Sequence, residues 1–522
     1  MARRSIAVVS ALLIIAVLPG ATAVARSGGP HPEVSAAVAH AISAPLRELA
    51  PDSPTARRLT ERPLRPIGTN AAVHPDGALQ ASAPGPAVAT TSGLNFAGVG
   101  NGDYGFFPDA APPDTNGAAG ASQYVQWVNE SYAVFSKAGG LLAGPTHGNQ
   151  IFTNLGGPCA TNNDGDPIAQ YDKANNRWIL TQFSVAAQPY LQCVAVSTTS
   201  DATGTYNLYA FSYGSQFPDY PKLGVWPDGY CVTFNIFNNG QTFAGSKLCA
   251  YDAAAMRAGA TATQQCFQLS TAYGGVLPSD LDGSTPPPAG APNYMLNFGT
   301  NSLNLWKFHV DFAVPANTTL TGPTNIPVAP FTAACRGGGA CIPQTATRQK
   351  LDSLADRLMY RLAYRNFGDH ESLVVNHTVT VSKKGQTGIR WYELRSPGGT
   401  PTVFQQGTYA PDASYRWMGS IAMDKVGDIA VGYSVSSGTM HPAIRYTGRV
   451  PTDAAGAMQA EKSIIEGGGS QLANLTRWGD YSAMTVDPVD DCTFWYTSEY
   501  LKANGTFNWS TRIASFKFPG CV

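Results

Sequence analysis

The 522-residue chain carries 54 glycines, 38 prolines and 10% aromatic residues, while Asp, Glu, Lys and Arg together make up only 13%, about half of the ~25% usual in soluble proteins. That composition suits many short strands joined by tight turns and excludes an assembly of long charged helices. A net charge of −1 supplies no general field to draw in nucleic acid or an anionic membrane, so neither is expected as a partner.

The chain opens with Arg3 and Arg4, an apolar run over residues 6–18, and the small residues Ala21, Ala23 and Ala25. This reads as a signal peptide, residues 1–25; its apolar core falls short of the ~20 residues that a membrane span requires. A secreted, extracellular protein without a membrane span is therefore expected. Residues 26–91 are rich in Ala, Pro and Ser. Apart from a helix around residues 33–49, they read as a flexible segment or pro-segment, with too little apolar surface to offset the entropy of ordering. The folded domain is placed at residues 92–522.

Within that domain one pattern recurs: a charged residue, a short apolar run, a turn containing Asp or Gly, then an aromatic strand. Residues 416–433, RWMGSIAMDKVGDIAVGY, and 477–496, RWGDYSAMTVDPVDDCTFWY, state it most clearly. Residues 165–183, 219–237 and 356–379 repeat it, and 112–129 and 278–298 are looser versions. A third strand follows in each unit, and usually a fourth, at the ~40–50-residue period of propeller repeats. The expectation is an all-β, seven-bladed β-propeller with four-stranded blades. The last unit ends after its third strand, and the unassigned strand at residues 92–100 is expected to complete that blade and close the ring.

Nine cysteines without the paired spacing of a zinc site suit an oxidising compartment. The expected bridges are Cys159–Cys193, Cys249–Cys266, Cys335–Cys341 and Cys492–Cys521, leaving Cys231, which could instead pair with Cys249.

The run TSDATGTY at residues 199–206 resembles the aspartate-box turn, S-x-D-x-G-x-T-W, of the sialidase-like superfamily of secreted propellers. Asp201 matches, Gly204 is displaced by one position and Tyr206 stands in place of Trp. The resemblance implies the propeller architecture. It also implies an arginine triad that holds an acidic sugar by its carboxylate, although the family's tyrosine–glutamate nucleophile pair has no matching motif here.

In a propeller the heads of the first strands surround the central cavity. Those positions hold Asp114, Asp166, Asp219 with Tyr220 and Lys222, Asp280 with Asp282, Asp356 with Arg357, Arg416 with Trp417, and Arg477 with Trp478 and Asp480. Such charges could simply cap strands and tie blades together. As a functional cluster, Arg357, Arg416 and Arg477 are expected to clamp a carboxylate. Asp166 and Asp480 are the candidate catalytic pair, with Tyr220 as an alternative nucleophile or proton donor. Asp114, Asp219, Asp282 and Asp356 are expected to bind substrate, and Trp417 and Trp478 either stack on a sugar or pack between blades. The run FGDHES, residues 367–372, gathers Asp369, His370 and Glu371 but falls at a turn, which suits turn chemistry better than metal binding. No cofactor fingerprint appears. Calcium is the ion that the oxygen-rich turns at residues 162–166 and 487–491 would suit.

The function expected is hydrolysis of an extracellular glycan containing acidic sugars, by a monomer. The alternatives are a non-catalytic propeller binding glycan or an envelope partner, and a polysaccharide lyase.

Overall fold

The computed structural model describes residues 31–52, 59–68, 73–83 and 87–522; the signal-peptide reading lies outside them. The fold is nearly all β. Six antiparallel meanders of four strands follow one another along the chain. Their first strands are Asn116–Ala119, Ile168–Asp172, Gln216–Trp226, Leu277–Asp282, Met359–Asn366 and Tyr415–Met423. The last sheet is built from Ala483–Val486, Phe494–Leu501 and Trp509–Lys517, and its fourth strand is Thr91–Ala97 from the other end of the chain. Each first strand neighbours the next, and Ala483–Val486 returns to Asn116–Ala119. Between Leu277–Asp282 and Met359–Asn366 the contact becomes a parallel ladder, Ser279 opposite Leu362.

Burial on both faces of each sheet follows from this stacking. Along Arg177–Ser184 the side chains alternate across the strand. Trp178 and Leu180 join one core with Trp127 and Cys193, whereas Ile179 joins another with Val194 and Leu223. Every sheet is thus a filling between two neighbours, which explains the many aromatic residues and the scarcity of charge.

Where it is described, the N-terminal segment, read as a flexible segment or pro-segment with one helix, takes a different local form from the one expected. Residues 33–49 form no α-helix. Instead Glu33–Ala36 pairs with Thr263–Gln268, and Ala39–Ile42 pairs with Tyr206–Gly214. Leu79–Gln80 runs parallel to Thr402–Tyr409. The outer strands of those sheets present unpaired backbone groups, and the segment satisfies them. Leu46, Ile67 and Val88 are buried as it does so. An Ala- and Pro-rich sequence can therefore be ordered by edges that other parts of the chain supply.

Disulfides join Cys159–Cys193, Cys249–Cys266, Cys335–Cys341 and Cys492–Cys521. Cys249 and Cys266 stand opposite each other in the ladder, so Cys231 keeps a buried thiol. Among the described residues no helix is long and apolar enough to cross a membrane.

Candidate active site

Asp114, Asp166, Tyr220, Met418 and Asp480 all have left-handed backbone, with φ between 47° and 68°. Each lies at the head of a first strand or where that strand's pairing shifts register. The same local bend recurs in several sheets, and Asp114, Asp166, Tyr220 and Asp480 line one cavity. Its volume is about 200 Å³, and its walls include Asp114, Asp166, Asp219, Tyr220, Arg357, Arg477 and Asp480. Asn129, Asp164, Phe183 and Phe217 also line it, with residues 62–65 of the N-terminal segment.

Asp114, Asp166 and Asp480 each bring a carboxylate oxygen within 4.8 Å of the others. Asp166 accepts the Tyr220 backbone N–H at 3.0 Å. Asp480 and Asp352 are bridged by the Arg477 guanidinium, whose Nε also donates to the Arg62 carbonyl at 3.1 Å. Arg357 holds Asp356 through two hydrogen bonds of 2.7 and 3.1 Å and lies 4.4 Å from the centre of the Tyr220 ring. The Lys222 ammonium rests between the rings of Tyr220 and Tyr481, 3.7 Å from each centre, and donates to the Pro221 carbonyl.

The cavity's electrostatics follow from crowding carboxylates away from water. Burial, reinforced by neighbouring Asp166, pushes the Asp219 carboxyl up to about 7. Burial and the charges of Asp480 and Asp166 hold Asp114 well above the usual carboxylate range. Asp480 is raised by burial too, against the pull of Arg477. Burial lowers Lys222 to about 8, opposed by the three clustered aspartates. At neutral pH Asp219 is therefore poised to give up or hold a proton beside carboxylates and guanidinium groups. The arrangement can perform general acid–base chemistry or hold a hard cation.

Two charged cavity residues belong to the N-terminal segment. Arg62 pairs with Glu130. Arg65 reaches Asp219 at 3.7 Å and stacks on Phe217 at 4.1 Å. The sequence reading missed both, although the run ERPLRP sets each of these arginines before a proline. Asp164 lies in the turn at residues 162–166 that the sequence marked as oxygen-rich, whereas Asn129 was missed, since nothing local distinguishes it.

Several expected residues lie elsewhere. Arg416 is not on the cavity wall: Asp412 and Glu461 grip it with four hydrogen bonds of 2.9–3.0 Å. The three arginines therefore do not meet on one anion, because a buried guanidinium needs its own carboxylates and each has them. Trp417 and Trp478 are fully buried with ring centres 5.9 Å apart; they pack between sheets and present no face to a sugar. Asp280 and Asp282 lie three and five residues beyond the head of Leu277–Asp282. There they bind Arg361 at 2.6 and 2.8 Å, and Lys173 approaches Asp282 at 3.3 Å. Asp356 does not line the cavity and serves Arg357. His370, at its turn, pairs with Asp369 at 2.7 Å and stacks on Phe367. The carboxylates at residues 487–491 are taken by protein donors, Asp491 by Arg365 and Asp490 by the amides of Cys492 and Thr493. In the turn that resembles the aspartate box, Asp201 accepts from the Thr203 amide and hydroxyl and from Gln123.

No family model matches the chain, and no curated protein matches it in sequence. Solved structures do overlay on it. An exo-β-1,3-galactanase from Clostridium thermocellum is 11% identical over 77% of this chain and 91% of its own, with a TM-score of 0.30. An ulvan lyase bound to a glucuronate–sulfated rhamnose unit is 10% identical over 79% and 97%, with a TM-score of 0.35. An endo-arabinase from Bacteroides thetaiotaomicron is 14% identical over 56% and 95%, with a TM-score of 0.25. Likenesses of this size carry no activity over to this chain.

Proposed function

We propose that the chain is a secreted, seven-bladed β-propeller of the sialidase-like kind that hydrolyses an extracellular glycan containing acidic sugars. The cyclic order of the first strands and the closing strand Thr91–Ala97 support the architecture, and the four disulfides are compatible with export. One observation carries the activity: Asp219, held near 7, shares a cavity with Asp166 and Asp480. A carboxyl able to hold its proton, set in one cavity with other carboxyl groups, is what glycoside hydrolysis requires of its acid and its base or nucleophile. In this reading Asp219 protonates the leaving oxygen, while Asp166 or Asp480 acts on the opposite side of the bond. A cavity of about 200 Å³, below the ~300–1,000 Å³ of larger ligand sites, suits one sugar at a chain end.

The N-terminal segment then serves as a pro-segment whose Arg62 and Arg65 cover the cavity. The test is a panel of acidic and neutral polysaccharides given to the full chain and to an Arg62→Ala/Arg65→Ala variant, following reducing ends and unsaturated products. New reducing ends from acidic substrates, abolished by Asp219→Asn, are expected. Unsaturated products would identify a lyase instead, and binding without any product a lectin-like propeller.

A further inference from the structure

The three clustered aspartates leave ligand capacity that the protein itself does not use. Asp114 is 2% exposed, and its Oδ1 receives no hydrogen bond. Among the described residues neither Asp114 nor Asp166 has a salt-bridge partner within 4 Å, since Arg357 and Arg477 are committed to Asp356, Asp352 and Asp480. Lys222 lies close by, yet its ammonium faces two tyrosine rings and one carbonyl rather than a carboxylate oxygen.

A second and independent group points the same way. Asn129, 1% exposed, lines the same cavity and anchors its amide nitrogen on the Pro112 carbonyl at 2.8 Å. Its Oδ1 is buried and unpartnered. That oxygen comes so close to Gly165, the residue before Asp166, that a Cβ there would lie 1.7 Å away. A buried amide oxygen without a donor costs about 1–3 kcal/mol. Holding one in the residue that shares a cavity wall with three carboxylates, against a position only glycine can fill, is explicable if all four oxygens share a ligand.

We propose that Asp114, Asp166, Asp480 and the Asn129 amide oxygen form a divalent-cation site, with calcium as the ion it fits. The donors are oxygen only, which selects a hard cation. Calcium's bonds of about 2.3–2.6 Å let two ligand oxygens stand up to about 4.6–5.2 Å apart, and the carboxylate oxygens lie within 4.8 Å of one another. Four protein ligands leave roughly two to four of calcium's 6–8 positions open to water or to hydroxyl and carboxylate oxygens of a ligand. The site stands without the hydrolase reading, because a bound cation needs no turnover.

The test is terbium luminescence on the full chain, sensitised by neighbouring aromatic residues such as Tyr481, with calcium as competitor and no sugar present. One saturable terbium per chain, displaced by calcium, is expected. Asp114→Asn and Asn129→Leu should each weaken binding at least tenfold, whereas Asp490→Asn in the turn at 487–491 should leave it unchanged. Circular dichroism identifies any variant that fails to fold. Asn129→Leu removes no charge, so its effect separates ligation from general attraction. Absence of sensitised emission at millimolar terbium would overturn the proposal. So would binding that survives in the folded Asp114 and Asn129 variants, or binding that is lost only with Asp490.

Discussion

Phe96 is the residue on which ring closure can be measured. It stands opposite Ile513 in the strand that completes the last sheet. Its partly buried ring meets Phe135 of the first sheet edge-on, with centres 5.4 Å apart and planes at 61°. One side chain thus joins the end of the ring to its beginning. Truncating a fully buried phenylalanine costs about 3–5 kcal/mol; half of that, ~1.5–2.5 kcal/mol, is appropriate to partial burial. The edge-on pair adds about 0.5–1.5 kcal/mol. Phe96→Ala should therefore destabilise by about 2–4 kcal/mol, read from urea unfolding midpoints at constant slope. In a double-mutant cycle with Phe135→Ala, the coupling should be about 0.5–1.5 kcal/mol. Val489→Ala, exposed and away from this seam, is the control and should change stability by less than about 0.5 kcal/mol. A Phe96→Ala loss no larger than the control, with zero coupling to Phe135, would refute the closure.

Three further outcomes are expected. Asp219, raised to about 7 when folded against about 3.9 when unfolded, holds its proton more tightly in the native state. Its stabilisation is complete below pH ~4 and is lost as the pH rises through about 7, at most about 4 kcal/mol; Asp219→Asn should flatten the fall in urea midpoint between about pH 4 and 7, and parallel profiles would contradict this. Buried Cys231, its thiol pushed up by burial, should be the one cysteine to react with a thiol reagent, and only after unfolding; reaction of the native protein, or a mapped bridge to Cys231, would be the contrary result. Gly432→Ala would place a Cβ 2.4 Å from the Tyr496 ring, forcing the last two sheets apart at a cost of about 1–3 kcal/mol, visible as a lowered unfolding midpoint.

How the N-terminal segment is ordered could not be read from its own residues. Ala39–Ile42 has no alternating pattern strong enough to announce a strand; it becomes one because the edge of Tyr206–Gly214 lacks a partner. The same limit applied to the arginines. Arg416 and Arg477 occupy the same place in two nearly identical stretches, yet one is held by Asp412 and Glu461 and the other enters the cavity. A repeat determines where along a strand a side chain sits. Which carboxylate neutralises it depends on residues 45 and 125 positions away, Glu461 and Asp352.

What the sequence by itself determined was the recurrence: a charged head, an apolar run, a turn and an aromatic strand, repeated at a spacing that only stacked sheets satisfy. It also singled out Asp114, Asp166, Arg357, Arg477 and Asp480, which precede first strands, and Asp219 and Tyr220, which lie within one, and all seven line one cavity. Tertiary structure alone decided how close they come. The left-handed bends at Asp114, Asp166 and Asp480 aim three carboxylates at one point, and Asn129 and Arg65 join them from parts of the chain with no motif. Spacing along a strand is local and periodic, so it leaves a trace in sequence. Convergence across a ring is set by the summed geometry of every sheet in it, and no short stretch of residues encodes that sum.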